Sequence, residues 1–316
     1  RSDPLWSGNA SPGPLFGVKR FHEVPLALDD LPPLDAVLVT HDHYDHLDAE
    51  TVVALSGRVP RWICPLGVGA RLEGWGVPPE AVTELDWWES TPLTSPEASD
   101  VTVTATPARH FSGRSLRDRN TTLWCGYVLV EGGASGEWPV AEEDEASASP
   151  QPPVPRPSSV YVGGDGGYSA LFREVGERLG PFDVALMEVG AYNDAWADIH
   201  MGPEQAVQAA IDAQAQVLLP VHWGTFNLAL HGWTEPAERV LVAAQEAGLP
   251  LALPKPGESI DPGDPPEAVR WWPELPWQTA EEAPIVSSGV VPAGASTAFG
   301  TPASGARGPS VPRRAV

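Results

Sequence analysis

Thr40-His41-Asp42-His43-Tyr44-Asp45-His46-Leu47-Asp48 decides how this chain is read, because it sets three imidazoles and three carboxylates within nine residues. The residues before it, Ala36-Val37-Leu38-Val39, form a short, apolar, β-branched run that reads as a buried strand. After it, Asp48 is a candidate N-cap for a helix over 49–55. The cluster therefore falls on a strand-to-helix loop. In extended backbone, residues two apart point the same way, so His41 and His43 are placed to hold one cation while Asp45 and His46 turn toward a second. A helical His-Glu-x-x-His site needs ligands one turn apart, and the residues before His41 are not helical.

Outward from this loop the chain keeps a layered α/β rhythm. Strands over 62–64 and 82–85, with a helix over 67–74 between them, complete a β-α-β-α-β passage. Trp87 and Trp88 then point to opposite faces and are read as packing residues. The alternating run over 101–106 is a strand that Pro107 ends, and His110 follows on the loop. Further strands are expected over 121–130 and 160–163. The second runs into Gly164-Asp165-Gly166-Gly167, where glycine permits the close backbone approach that would carry the Asp165 carboxylate into a crowded centre. A helix over 168–179 and a strand over 182–189 come next. His200 lies on a loop before a helix over 203–213, which has Pro203 in its first turn and Glu204 favouring its dipole. The strand over 216–221 ends at His222, and a helix over 235–247 and a strand over 249–253 close the domain. Three strand ends thus present imidazoles. His22 reads as a surface residue and His231 as a packing residue.

Composition bounds the rest. The 316 residues, 42% apolar, suit one large domain, while 36 Pro and 31 Gly are too many for compact structure throughout. A core domain over 1–282 is expected, with a disordered acidic and Pro-rich insertion over 131–159 and a disordered tail over 283–316. Acidic residues outnumber basic ones by 42 to 19, a net charge of −23, which repels phosphate backbones and argues against a nucleic-acid partner. The two cysteines, Cys64 and Cys125, sit in separate apolar runs and read as buried free thiols. No run reaches the roughly 18 apolar residues of a membrane-crossing helix, so a cytoplasmic chain is expected, with peripheral membrane contact open.

The His-x-His-x-Asp-His loop resembles that of the metallo-β-lactamase superfamily. Thr40 to Asp48 is especially similar to the branch of N-acyl-phosphatidylethanolamine-hydrolysing phospholipase D and its bacterial relatives. Pro107-Ala108-Arg109-His110-Phe111-Ser112-Gly113-Arg114, Gly164-Asp165-Gly166-Gly167-Tyr168, His200-Met201-Gly202-Pro203-Glu204 and Val221-His222-Trp223-Gly224-Thr225-Phe226 match that branch in order. The resemblance covers about Asp3 to Ile260.

It implies a four-layer αββα sandwich whose first strands would precede Ser2-Asp3-Pro4. It also implies a dinuclear site in which His41, His43 and His110 hold one metal, Asp45, His46 and His222 hold the other, and Asp165 bridges. Gly166 stands where relatives carry Thr. Imidazole and carboxylate ligands suit two Zn2+ ions, with Fe or Mn as alternatives. Asp165 and His200 are the expected catalytic residues, and His200 and Arg114 the expected substrate contacts. The function implied is a phosphodiesterase acting on a phospholipid or a small molecule. Hydrolysis of a lactone or other small ester on the same site is the alternative. A diiron oxidoreductase fits less well, since its members carry a carboxylate in place of His43 and a flavin domain.

Overall fold

A computed structural model describes residues 1–11, 17–94, 99–132 and 158–289. Most of the insertion expected over 131–159 and of the tail expected over 283–316 lies outside them. In chain order the elements are β1 (Asn9–Ala10), β2 (Val18–Lys19), β3 (Val37–Leu38), α1 (Ala49–Leu55), β4 (Trp62–Pro65), α2 (Gly69–Gly74), β5 (Val82–Leu85), β6 (Ser90–Leu93), β7 (Val101–Thr106), β8 (Gly126–Glu131), β9 (Ser159–Val162), α3 (Leu171–Leu179), β10 (Phe182–Glu188), α4 (Pro203–Asp212), β11 (Ala215–Val221) and α5 (Glu235–Ala247).

Alternation along the strands builds the layers. β3, β4 and β5 form a parallel sheet whose outward side chains, Val37, Trp62 and Cys64, pack with Val52 and Leu55 of α1 and Leu72 of α2. Their inward neighbours Leu38, Ile63 and Leu85 meet Val103, Ala105 and Tyr127 of a second sheet. That sheet runs β11-β10-β9-β8-β7-β6, antiparallel from β6 to β9 and parallel from β9 to β11. Its far face carries Val128, Tyr161, Phe182 and Met187 against Val175 of α3, Ala206 and Ala210 of α4, and Val240 of α5. The order helix, sheet, sheet, helix is the four-layer sandwich expected. Both cysteines are buried and free, Cys64 under the helices and Cys125 between the sheets.

Several local expectations change. β6 was not foreseen; it accommodates Pro92 because it is the edge strand, where a missing N–H costs no ladder bond. The strand expected from 121 starts at Gly126; before that Leu123 and Cys125 donate their N–H groups to Leu66 O and Thr40 O and so bind the two sheets together. The closing strand over 249–253 is a single bridge, Leu218 to Leu251. Residues 283–289 are packed rather than loose: Ser287 is buried, and Ala283 O accepts from Arg239 Nη1. Neither Trp87 nor Trp88 lines a cleft, for Trp87 packs between the sheets and Trp88, at φ 68°, packs toward the helices under the Arg178 guanidinium.

Candidate metal centre

The C-terminal ends of β3, β7, β9, β10 and β11 meet at one edge of the sandwich, and each delivers a polar side chain there. After β3 the chain makes a tight turn in which His43 O accepts the N–H groups of His46 and Leu47, at 3.1 and 2.8 Å. This turn brings the His46 ring back beside that of His41, with centroids 4.2 Å apart. Asp48 then caps α1 by accepting from Thr51 N, as its position in the sequence suggested. Asp165 follows β9 through Gly164, whose φ is +66° and whose missing Cβ would lie 2.9 Å from Cys125 O. His222 leaves β11 at φ 64°, a strained conformation for a residue with a Cβ. Its carbonyl fits because Gly190 has no side chain, since a Cβ there would lie 2.0 Å from His222 O.

Two donor sets result. His41 Nε2 and His110 Nε2 lie 2.9 and 3.2 Å from His43 Nδ1. His46 Nε2 and Asp45 Oδ2 lie 2.9 and 3.1 Å from His222 Nε2. Asp165 Oδ2 stands between them, 3.0 Å from His46 Nε2, 3.5 Å from His222 Nε2, and 4.0 Å from both His41 Nε2 and His110 Nε2.

The outer ring nitrogens test whether such sets suit metal ions. His46 Nδ1 is 3.0 Å from Asp3 Oδ2 and His110 Nδ1 is 3.1 Å from Ile199 O, both acceptors, so these nitrogens donate. Thr40 Oγ1 gives its proton to Asp3 Oδ2 and therefore accepts from His41 Nδ1 at 3.0 Å. In His41 and His110, which stay neutral, the inward nitrogens carry lone pairs aimed at the same His43 Nδ1, which can donate to only one of them, an arrangement that a cation satisfies and hydrogen bonding alone does not. Burial holds His41 and His110 well below the ordinary histidine value and lowers His43 as well, so all three stay neutral. Burial raises Asp165, but His222 and His46 outweigh it and hold the carboxyl well below its usual range; His46 and His222 likewise keep Asp45 ionised. Five imidazoles and two carboxylates, with no thiolate, fit a pair of dications.

Two further groups border this centre. Glu188, the last residue of β10, is buried and accepts Gly166 N–H on Oε1 at 2.6 Å, while Oε2 sits 2.6 Å from His200 Nδ1. Burial lowers His200, but Glu188 raises it more, leaving it at about 9, and burial raises Glu188. His200 Nδ1 lies 3.8 Å from Asp165 Oδ2.

All seven expected ligands and His200 thus come together. Arg114 does not. Its guanidinium donates to Asp42 O and Leu47 O at 2.8 and 2.7 Å and stacks on Tyr44, so it braces the His41 loop from behind rather than facing a substrate. Asp42 also points away, fully buried, accepting from Gly113 N and Arg71 Nε. Sequence reading missed Asp3, Arg71 and Glu188. None of the three is marked by spacing, and Glu188 is one of two acids in β10, with Asp183.

Comparison with known proteins bears on the family and the fold. Residues 3–137 and 154–223 match the family model described as the beta-lactamase superfamily domain. An uncharacterised protein of Mycobacterium tuberculosis is 45% identical over 276 residues, 86% of this chain and 66% of that protein. N-acyl-phosphatidylethanolamine-hydrolyzing phospholipase D 1 of Caenorhabditis elegans is 34% identical over 235 residues, 72% of this chain and 59% of the relative. The chain spans less than two thirds of the length of these two relatives. Among solved structures, Igni18, a metallo hydrolase from the archaeon Ignicoccus hospitalis, has the same fold, with a TM-score of 0.52 at 22% identity, over 74% of this chain and 83% of that one.

Proposed function

We propose a function from one premise: this chain belongs to the beta-lactamase superfamily. Its edge-of-sandwich centre is read as the site of a metal-dependent hydrolase, and more narrowly as a dinuclear zinc phosphodiesterase. The observation that carries this reading is the shared carboxylate, with Asp165 Oδ2 within 4.0 Å of nitrogens from both donor sets. His41, His43 and His110 would hold one cation, Asp45, His46 and His222 the other, and Asp165 both. Such a pair, when bound, lowers the pKa of a water toward about 7 and stabilises charge that develops on the oxygens of the reacting group.

The chain's own residues do the rest. His41, His110 and His46 are oriented through their outer nitrogens by Thr40, Ile199 O and Asp3, so the inward nitrogens stay free to ligate. Glu188 fixes the ring of His200 through Nδ1, which leaves Nε2 to hold a proton for the departing oxygen. The fold buries the floor of the site, with His41 and Asp165 at 1% and 5% exposure, and leaves His43, Asp45 and His222 partly open to solvent. The substrate class is carried over from the Caenorhabditis elegans relative, named for hydrolysing N-acyl-phosphatidylethanolamine. No helix among the described residues is long and apolar enough to cross a membrane.

Turnover of bis(p-nitrophenyl) phosphate against a lactone panel, with elemental analysis of the same sample, tests the reading. Phosphodiester cleavage that disappears in His43→Ala is expected. Faster turnover of lactones than of phosphodiesters would replace the phosphodiesterase with the small-ester hydrolase.

A further inference from the structure

Three loops carry His110, Asp165 and His200, and a fourth segment, 285–289, ties them together. Arg109, next to His110, sends Nη1 to Tyr168 O at 3.3 Å and Nη2 to Ser288 Oγ at 2.7 Å. The same Nη2 lies 3.1 Å from Asp198 Oδ2, two residues before His200. Asp198 in turn accepts the Ser288 N–H at 2.7 Å and the Ser288 hydroxyl at 3.0 Å. Tyr168 O, three residues past Asp165, accepts from Ser287 Oγ at 3.4 Å, and a Cβ on Gly289 would lie 2.0 Å from it. The segment is therefore pressed flat on the loop that follows Asp165.

We infer that Ser288 is a positioning residue, which with Arg109 and Asp198 fixes the loop carrying His200 against the loops carrying Asp165 and His110. This rests on the role proposed for His200. Ser288 suits the junction because a hydroxyl accepts and donates at once, here from Arg109 and to Asp198. The Arg109–Asp198 pair alone is partly exposed, at 30% and 49%, and exposed ion pairs hold geometry poorly. The segment has its own anchor away from Ser288, where Ile285 O accepts from Gln205 Nε2 at 3.3 Å and Ile285 packs on Gly202. Removing the hydroxyl should therefore loosen the His200 loop without releasing the segment.

The test compares Ser288→Val, Ser288→Thr and Gly289→Ala in the metal-loaded chain. Ser288→Val should lower kcat for bis(p-nitrophenyl) phosphate about tenfold with KM within about twofold, since displacement of a reacting group affects the chemical step more than binding. Its metal content should match wild type, and amide hydrogen exchange over 193–200 should quicken. Ser288→Thr should restore most of both, and Gly289→Ala, which pushes the segment off Tyr168, should behave like Ser288→Val. Unchanged exchange over 193–200 in Ser288→Val would overturn the inference, as would an equal loss in Ser288→Thr. If wild type does not cleave the phosphodiester, the proposed function fails and the exchange data alone decide the role of Ser288.

Discussion

Asp3 touches no candidate metal directly, yet its Oδ2 faces His46 Nδ1 at 3.0 Å and its Oδ1 accepts Thr40 N–H at 2.8 Å. Asp3→Asn keeps the shape and removes the charge behind His46, so metal affinity should fall about 10–100-fold, measured by competition with a chromophoric chelator. Arg114→Met tests the bracing role of the second residue. It strips two buried carbonyls of charged donors and should cost about 2–4 kcal/mol in urea denaturation, with KM for a phosphodiester unchanged. A large rise in KM without loss of stability would return Arg114 to the substrate. The candidate ligands at positions 41 to 46 stood out because metal chemistry dictates both residue type and spacing. Asp3 did not, because a residue that only accepts a hydrogen bond from a ligating ring has no fixed spacing to it; nor did Glu188, whose partners Gly166 N–H and His200 come from loops that meet only in the fold.

Elements carry the site by where they end. β10 and β11 run parallel in register from Phe182–Ala215 to Glu188–Val221, so Glu188 and His222 emerge together. Gly190→Ala would drive a Cβ into His222 O, and the expected outcome is loss of the metal proposed for Asp45, His46 and His222, seen as one fewer ion per chain in elemental analysis. Behind the sheet, α4 and α5 are joined by Arg239, 1% exposed, in a two-pronged bond to Glu204, 33% exposed, at 2.8 Å for each prong. Glu204→Gln should destabilise the chain by about 2–3 kcal/mol, below the cost of a wholly buried pair because one partner is partly wet, while leaving metal content intact. β3 and β4 were foretold by short apolar runs, being buried on both faces, β7 by alternation, and the helices by their own spacing and caps. β6 escaped because an edge strand tolerates Pro92, and the stretch before Gly126 escaped because its apolar residues serve contacts between sheets rather than a ladder.

At the scale of the whole molecule, the centre is a store of charge that protons and cations compete to neutralise. In the metal-free chain, burial lowers His46 and His222 but Asp165 outweighs it, so both end above the ordinary value; their contribution to stability is complete below about 6.5 and is lost as pH rises through the raised values. Asp45 and Asp165 are depressed, and theirs is complete above about 3.9 and is lost as pH falls through the lowered values. Cations replace the histidine protons, so the gain in Tm between chelated and metal-loaded protein should widen from about pH 6 to about pH 9. A gap that stays constant over that range would mean that the metals do not displace those protons. The four-layer architecture was readable from element order, whereas the convergence of His110, Asp165 and His222 on the His41 loop was implied by resemblance and required the fold to be seen. That convergence is the central claim, and anomalous diffraction from crystals of the metal-loaded chain tests it most directly. Two peaks about 3.5–4 Å apart are predicted, one among His41, His43 and His110, the other among Asp45, His46 and His222, with Asp165 between. A single peak, or peaks away from Asp165, would contradict it.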